Sequence, residues 1–345
     1  MRTSRMPYRA CAVALFAASL CSGCSPKGQK QESSTAQEPS STTTRSGACD
    51  ASAAVAVGPQ TFIVGSDEDN VLRVYGPAEK DPKPGVFDLS AFLGVEHGGL
   101  EADIEGATRI ADVIYWITSH GADRKGRPRP SGRRLFATKV ALVNGRIELT
   151  PMGTPYENLV QDFVADPELR SFDLEAAATR PPKSPNALNI EGLTATPAGG
   201  LLIGFRNPIP QGRALIVPIE NPEGVVAGKE PAKLGSPILL PLSGLGIRSI
   251  EYSAARREYL IVAGPDGVTG PFRLYRWAGS SNDVPVEVPG VPFAALQPEA
   301  LIVYPEDPKM IEILSDDGTR ELSGVACKEL PTDQRAFRSL QVSLP

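Results

Sequence analysis

The stretch from Asp103 to Gly121, DIEGATRIADVIYWITSHG, recurs in weaker form along the chain, and that repetition limits the fold more than any other feature. Copies read DASAAVAVGPQTFIVGSDE from Asp50, NIEGLTATPAGGLLIGFRNP from Asn189, SIEYSAARREYLIVAGPDG from Ser249 and QPEALIVYPEDPKMIEILSDDG from Gln297. Their shared grammar is an acidic opening, a short apolar run, a polar turn, a stronger β-rich run and a polar loop, which describes a β-hairpin. Asp50 to Ser66, Asp103 to Ser119 and Asn189 to Phe205 each span about sixteen steps, so these copies superpose without a gap. Copies begin at intervals of roughly 50 to 60 residues, with one longer gap, which suits four-stranded blades and is too long for most helical solenoids. The expectation is an all-β chain forming a single β-propeller of five blades, with six still open. The segment from Thr154 to Leu188 breaks the strand grammar and reads as a short helical insertion between blades two and three, stopped by Pro181 and Pro182.

Ahead of the repeats lie two segments of different character. Residues 1–23 carry Arg2, Arg5 and Arg9, an apolar run from Ala10 to Leu20 and small residues before Cys24. The run is too short to span a bilayer and resembles a bacterial lipoprotein signal, with Cys24 as the lipidated first residue of the mature chain. An ordinary cleaved signal is the alternative. Residues 24–48 contain no large apolar side chain to offset ordering entropy, so a disordered tether is expected there, reaching on the order of 25 to 30 Å. The propeller is then expected over residues 49–345, held at the cell envelope on its periplasmic or extracellular side by the N-terminal lipid.

Five cysteines occur in the chain. Cys11 and Cys21 leave with the signal and Cys24 takes the lipid, so Cys49 and Cys327 remain, one at each end of the repeats. An even pair in an exported protein reads as a disulfide, and here it would tie the first blade to the last. The formal charge of −5, more negative without the leader arginines, argues against a general nucleic-acid binder. Nothing in the sequence fixes an oligomeric state.

In a propeller the first strand of each blade lines the channel. Glu105, Glu191, Glu251 and Glu299 sit near the starts of first strands and are expected to converge at the channel mouth, with Ser52 at that register in blade one. Ends of second strands add Ser66, Asp67, Glu68, Asp69, His120, Arg206, Asp266, Asp316 and Asp317 on the same face. Converging carboxylates raise one another's pKa unless a cation intervenes, and a hard oxygen-binding ion such as Ca²⁺ is the simplest one. The alternative is that Arg109, Arg206 and Arg248 neutralise the glutamates and join the blades. His120 ends the strongest strand and is a candidate acid or base, whereas His97 is not. Trp116 and Tyr115 read as core. The basic loop with Arg124, Lys125, Arg127, Arg129, Arg133 and Arg134 is either solvated or a grip for an anionic small molecule. No nucleophile elbow, zinc helix, phosphate loop or dinucleotide fingerprint is present in the sequence.

The segments NIEGLTATPAGGLLIGFRNPIP, DIEGATRIADVIYWITSHGADRKGRPRPSGRRLFATKV and IRSIEYSAARREYLIVAGP resemble a bacterial family of exported proteins of unknown function, over nearly all of the chain after about Thr61. That family is distantly similar to phytase-like, or esterase-like, propeller domains. The resemblance implies Ca²⁺ held by channel carboxylates that promotes attack of water on a bound phosphate. It casts Glu105, Glu191, Glu251 and Glu299 as metal ligands and Arg206 and Arg248 as phosphate clamps. Two functions follow, a calcium-dependent phosphoesterase or esterase-like hydrolase, and a non-catalytic ligand- or protein-binding module.

Overall fold

Valine, isoleucine and aromatic residues pack well on a pleated surface, and the apolar runs of the repeats fold accordingly into strands. The computed structural model describes residues 41–77, 79–95, 100–293 and 296–345. Strand β1 (Ser41–Ser46) comes first. Blade one contains β2 (Ala53–Gly58), β3 (Thr61–Gly65), β4 (Val71–Tyr75) and β5 (Val86–Asp88), followed by the short helix α1 (Ser90–Leu93). Blade two contains β6 (Ile104–Ile110), β7 (Val113–Thr118), β8 (Leu135–Val143) and β9 (Arg146–Tyr156). After helices α2 (Leu159–Ala165) and α3 (Leu174–Ala177), blade three contains β10 (Asn189–Ala195), β11 (Leu201–Asn207), β12 (Ala214–Ile219) and, beyond α4 (Pro222–Val226), β13 (Ile238–Leu240). Blade four is β14 (Gly246–Ser253), β15 (Glu258–Gly264), β16 (Arg273–Trp277) and β17 (Val286–Val288).

Blade five is assembled from both ends of the described chain. Its strands run in the order β18 (Pro298–Tyr304), β19 (Asp307–Ser315), β22 (Ala336–Ser343) and β1, with a small hairpin of β20 (Glu321–Leu322) and β21 (Val325–Ala326) inserted before β22. The five four-stranded antiparallel sheets make the chain a five-bladed β-propeller, as expected from the repeats. The closure differs from expectation in one respect. Strand β22 supplies the third strand of blade five, while the outermost strand is β1, from the end of the segment read as tether.

The cause is a buried anchor. Arg45 is fully buried, donates to Glu312 at 2.8 Å, to the backbone oxygens of Gly76 and Glu79 at 3.1 and 2.9 Å, and lies 4.8 Å above the Phe62 ring. A paired arginine stacked on an aromatic ring holds a polar, threonine-rich strand that propensity to bury apolar surface alone would not. Cys49 and Cys327 then form the expected disulfide, 278 residues apart in sequence.

Packing follows the ring. Five apolar clusters each fill one seam: Ile63, Leu72 and Trp116 between blades one and two, and Ile117, Leu193 and Ile203 between two and three. Ile216 and Ile261 mark the seam of three and four, Val262 and Ile313 that of four and five, and Phe62 and Ile302 close the ring. The helical insertion docks Leu159, Phe163 and Leu174 onto the seam of blades two and three. Trp116 and Tyr115 belong to this core, as read from the sequence. Residues 1–23, read as a signal, Cys24, the stretch read as a tether up to residue 40, and His97 lie outside the described residues.

Candidate metal centre at the channel mouth

Four of the five first strands carry a β-bulge at one register. The extra residue is Glu105 in blade two, Glu191 in blade three, Arg248 in blade four and Glu299 in blade five. A bulge re-aims its side chain, and first strands of neighbouring blades face one another around the ring, so these four side chains share the channel mouth. The glycine after the bulge has its own reason. A Cβ at Gly192 would come 2.8 Å from Ile247 of the next blade, and one at Gly106 would come 3.0 Å from Leu193. The repeated Ile-Glu-Gly is thus a bulge residue plus a close approach between blades.

This register corrects one expectation. Glu251 lies three residues beyond Arg248, paired with Leu260 inside the ladder, and Arg248 takes the place assigned to it. The displacement comes from aligning Ser-Ile-Glu with Asn-Ile-Glu, whereas the bulge aligns Ile247-Arg248-Ser249 with Ile190-Glu191-Gly192. Burial pushes the Glu251 carboxyl well up, with no neighbouring charge involved.

The mouth has two unlike halves. Across blades three to five, Arg206 donates to Glu191 at 2.8 Å and to the carbonyls of Pro265 and Gly267 at 3.1 and 2.6 Å. Arg248 reaches Glu191 at 2.9 Å and also binds Glu299, with its remaining nitrogen directed at the Pro298 carbonyl. All four side chains are buried. Burial works against the Arg248 charge, but Glu191, Glu299 and Glu105 more than restore it and raise its pKa. Glu299 is pushed up to about 8 by burial, Arg248 pulling it back and Asp316 and Glu191 adding to the rise. Both guanidiniums are thus committed to carboxylates and carbonyls of the blades.

Across blades one, two and five the acids crowd instead. Oxygens of Asp67, Asp103 and Glu105 all lie within 4.8 Å of one another. Asp103 sits in the left-handed region at φ 66° and accepts from the Ser119 hydroxyl, while Arg129 approaches it at 3.0 Å. Burial, then the charges of Glu191, Asp103, Glu299 and Asp67, push Glu105 well above the carboxylate range. Burial, then Glu299, Asp103, Asp316 and Glu68, do the same to Asp67, whose Oδ1 is buried without a hydrogen-bond partner.

Beside them Asp50 is pushed up to about 12 by burial, by a hydrogen bond with Asp316 and by the charges of Asp67, Asp316 and Glu68. Burial would raise Asp316 as well, but the hydrogen bond from Asp50, the Gly318 N–H and the Arg248 charge hold it below its usual value. Asp50 therefore keeps its proton at neutral pH and donates it in a hydrogen bond to the Asp316 carboxylate. The approach requires Gly318, where a Cβ would stand 2.5 Å from the Asp50 carboxyl.

His120 stands apart from this cluster. It is fully buried, and its Nδ1 donates to the Thr118 carbonyl at 2.8 Å, which leaves Nε2 unprotonated. Burial lowers its pKa to about 4, with Arg133 and Arg134 adding to the fall, so the ring is neutral at pH 7. Of the remaining second-strand ends, Asp69 pairs with Arg73 at 2.6 Å and Asp317 with Arg338 at 2.6 Å.

The donor set fits a hard cation. All the oxygens are carboxylate, no sulfur or imidazole takes part, and the Oδ1 atom of Asp67 is buried with no acceptor role filled. Sequence reasoning reached Glu105 and named Asp67 and Asp103 as ends of the repeat. It missed that these three form the group. The signal was the register shared by Asp50 and Asp103, sixteen steps before Ser66 and Ser119.

A family described as "Protein of unknown function (DUF3616)" matches residues 147–292. No curated protein matches the chain. Among solved structures, the chain is similar to Myxococcus xanthus glutaminyl cyclase at 11% identity and a TM-score of 0.44, covering 88% of this chain and 96% of that one. It is also similar to the PQQ-bound aldose sugar dehydrogenase of Streptomyces coelicolor, at 11% identity and a TM-score of 0.40, with 88% and 98% covered. No activity is carried over from either.

Proposed function

We propose that the acid-rich half of the channel mouth holds a hard divalent cation of the Ca²⁺ type through Asp67, Asp103 and Glu105, and that the propeller thereby takes up an anionic small molecule. The convergence of three carboxylates from two blades within 4.8 Å carries this reading. Once bound, the cation would neutralise an anionic substrate and lower the pKa of water, the chemistry of a phosphoric-ester or ester hydrolase. The chain's own residues do the rest. Arg129 holds Asp103 in place and stands as the arginine of the site, since Arg206 and Arg248 are tied to Glu191 and Glu299. Asp50, protonated and backed by Asp316, holds a proton beside the cluster. A non-catalytic binding module is the second reading, favoured by the buried, unreachable position of His120 and the committed guanidiniums.

Support for the location comes from the leader and from the Cys49–Cys327 bond, which suits an oxidising compartment, so the proposal includes a lipid anchor at Cys24 and the outer side of a membrane. The test is turnover of a panel of phosphate monoesters and carboxylic esters by the full chain, in Ca²⁺ and in chelator. Calcium-dependent turnover lost in Asp67→Asn supports the hydrolase. Calcium binding without turnover leaves the binding module, and absence of calcium binding overturns the cation site and with it the hydrolase.

A further inference from the structure

Away from the channel mouth, a cavity of about 370 Å³ opens between the β7–β8 loop and the helical insertion. Pro128 and Arg133 form one wall, Val160 and Val164 of α2 a second, and Glu175 and Ala178 a third. Such a volume lies in the lower range of small-molecule sites, which combine an apolar lining with a few placed polar groups. Here Val164 remains 41% exposed on a helix whose other large apolar residues, Leu159, Val160 and Phe163, are buried.

Arg133 is what distinguishes this cavity. Three of its loop neighbours are paired, Arg127 with Asp123 at 2.6 Å, Arg129 with Asp103 at 3.0 Å and Arg134 with Glu157 at 3.1 Å, while Arg124 and Lys125 are exposed to solvent. Arg133 has no ion pair among the described residues, its Nε is buried with no acceptor, and its only side-chain hydrogen bond is a 3.5 Å contact with the Ala178 carbonyl. Burial lowers its pKa with no carboxylate to offset the fall. A sheltered guanidinium without a counter-ion is costly, and its planar fork matches a carboxylate. Glu175, exposed at the rim, does not reach it and disfavours a doubly charged ligand.

We propose that this cavity binds a small, singly charged amphipathic carboxylate, its head held by Arg133 and its aliphatic body laid against Val160 and Val164. The site is independent of the cation centre and lies outside the reading given above.

Calorimetry on the full chain with butyrate, hexanoate and octanoate, and with inorganic phosphate for comparison, tests it. Expected is saturable one-to-one binding that tightens roughly fourfold per methylene from butyrate to hexanoate, with phosphate weaker than hexanoate. Arg133→Gln is expected to weaken hexanoate binding by about tenfold or more. Val164→Trp, at an exposed position, fills the cavity with Arg133 intact and abolishes binding; should Arg133→Gln fail to fold, this variant decides. No saturable binding by the wild type, phosphate binding as tightly as hexanoate, or unchanged binding in a folded variant overturns the proposal.

Discussion

The two halves of the channel mouth are built from the same repeat and solve the same electrostatic problem in opposite ways. On the side of blades three to five, Arg248 occupies the bulge register that elsewhere holds a glutamate, and Arg206 ends the neighbouring second strand. The result is an alternating chain of Arg206, Glu191, Arg248 and Glu299. On the side of blades one and two, the same positions and their neighbours hold Asp67, Asp103 and Glu105, with Arg129 as the cation at hand. One half is closed by its own charges, while the other is left to be completed from outside. Sequence repetition placed acids on one face, but the identity of a single residue at one register decides which half is structural.

Breaking the closed half should have the largest effect. Arg248→Met leaves Glu191 and Glu299 buried and short of a partner, and is expected to cost about 3–5 kcal/mol in urea unfolding. Adding Glu191→Gln and Glu299→Gln should recover part of that loss.

The second effect is the pH dependence of stability without divalent cation. In the unfolded chain these carboxyls titrate near 4, whereas the folded protein holds Asp67 and Glu105 protonated well above that and Glu299 up to about 8. The native state therefore binds more protons, and stability falls as pH rises, by up to roughly 1.4 kcal/mol per unit for each such carboxyl. His120 contributes with the opposite sign, lost as pH falls from 6.5 toward its folded value of about 4. Chemical unfolding between pH 6.5 and 8 thus isolates the carboxyls, and the slope should flatten in saturating Ca²⁺.

A smaller effect is expected for Glu105→Gln in chelator. Replacing a carboxyl that burial and its neighbours drive to protonate by a neutral amide should leave stability unchanged or raise it by about 1 kcal/mol, the reverse of Arg248→Met. Smallest of all is Arg129→Gln. It should change stability by less than about 1 kcal/mol at this partly exposed pair and tighten cation binding a few-fold, by freeing Asp103.

The five blades were legible because β-rich apolar runs and polar turns recur along the chain in the same order, and the Cys49–Cys327 bond because those two cysteines flank the repeats. Strand β1 was not, since Ser-Thr-Thr-Thr-Arg-Ser buries little apolar surface by itself and is held by Arg45 against Glu312 from the other end of the chain. The same limit applies to the site. Glu105 follows from its motif, but a bulge leaves no mark in the sequence, and the likeness of Ser249-Ile250-Glu251 to Asn189-Ile190-Glu191 puts Glu251 three residues away from the place that Arg248 holds. Asp67 and Asp103 were visible as polar ends, and only the ring brings them together with Glu105.

The most direct test of a mouth divided into a closed and an open half is calorimetric titration of the full chain with Ca²⁺, comparing wild type, Asp67→Asn and Glu251→Gln. One site present in wild type and Glu251→Gln and lost in Asp67→Asn is the predicted result. Binding abolished by Glu251→Gln but kept by Asp67→Asn, or no binding to the wild type, would contradict it.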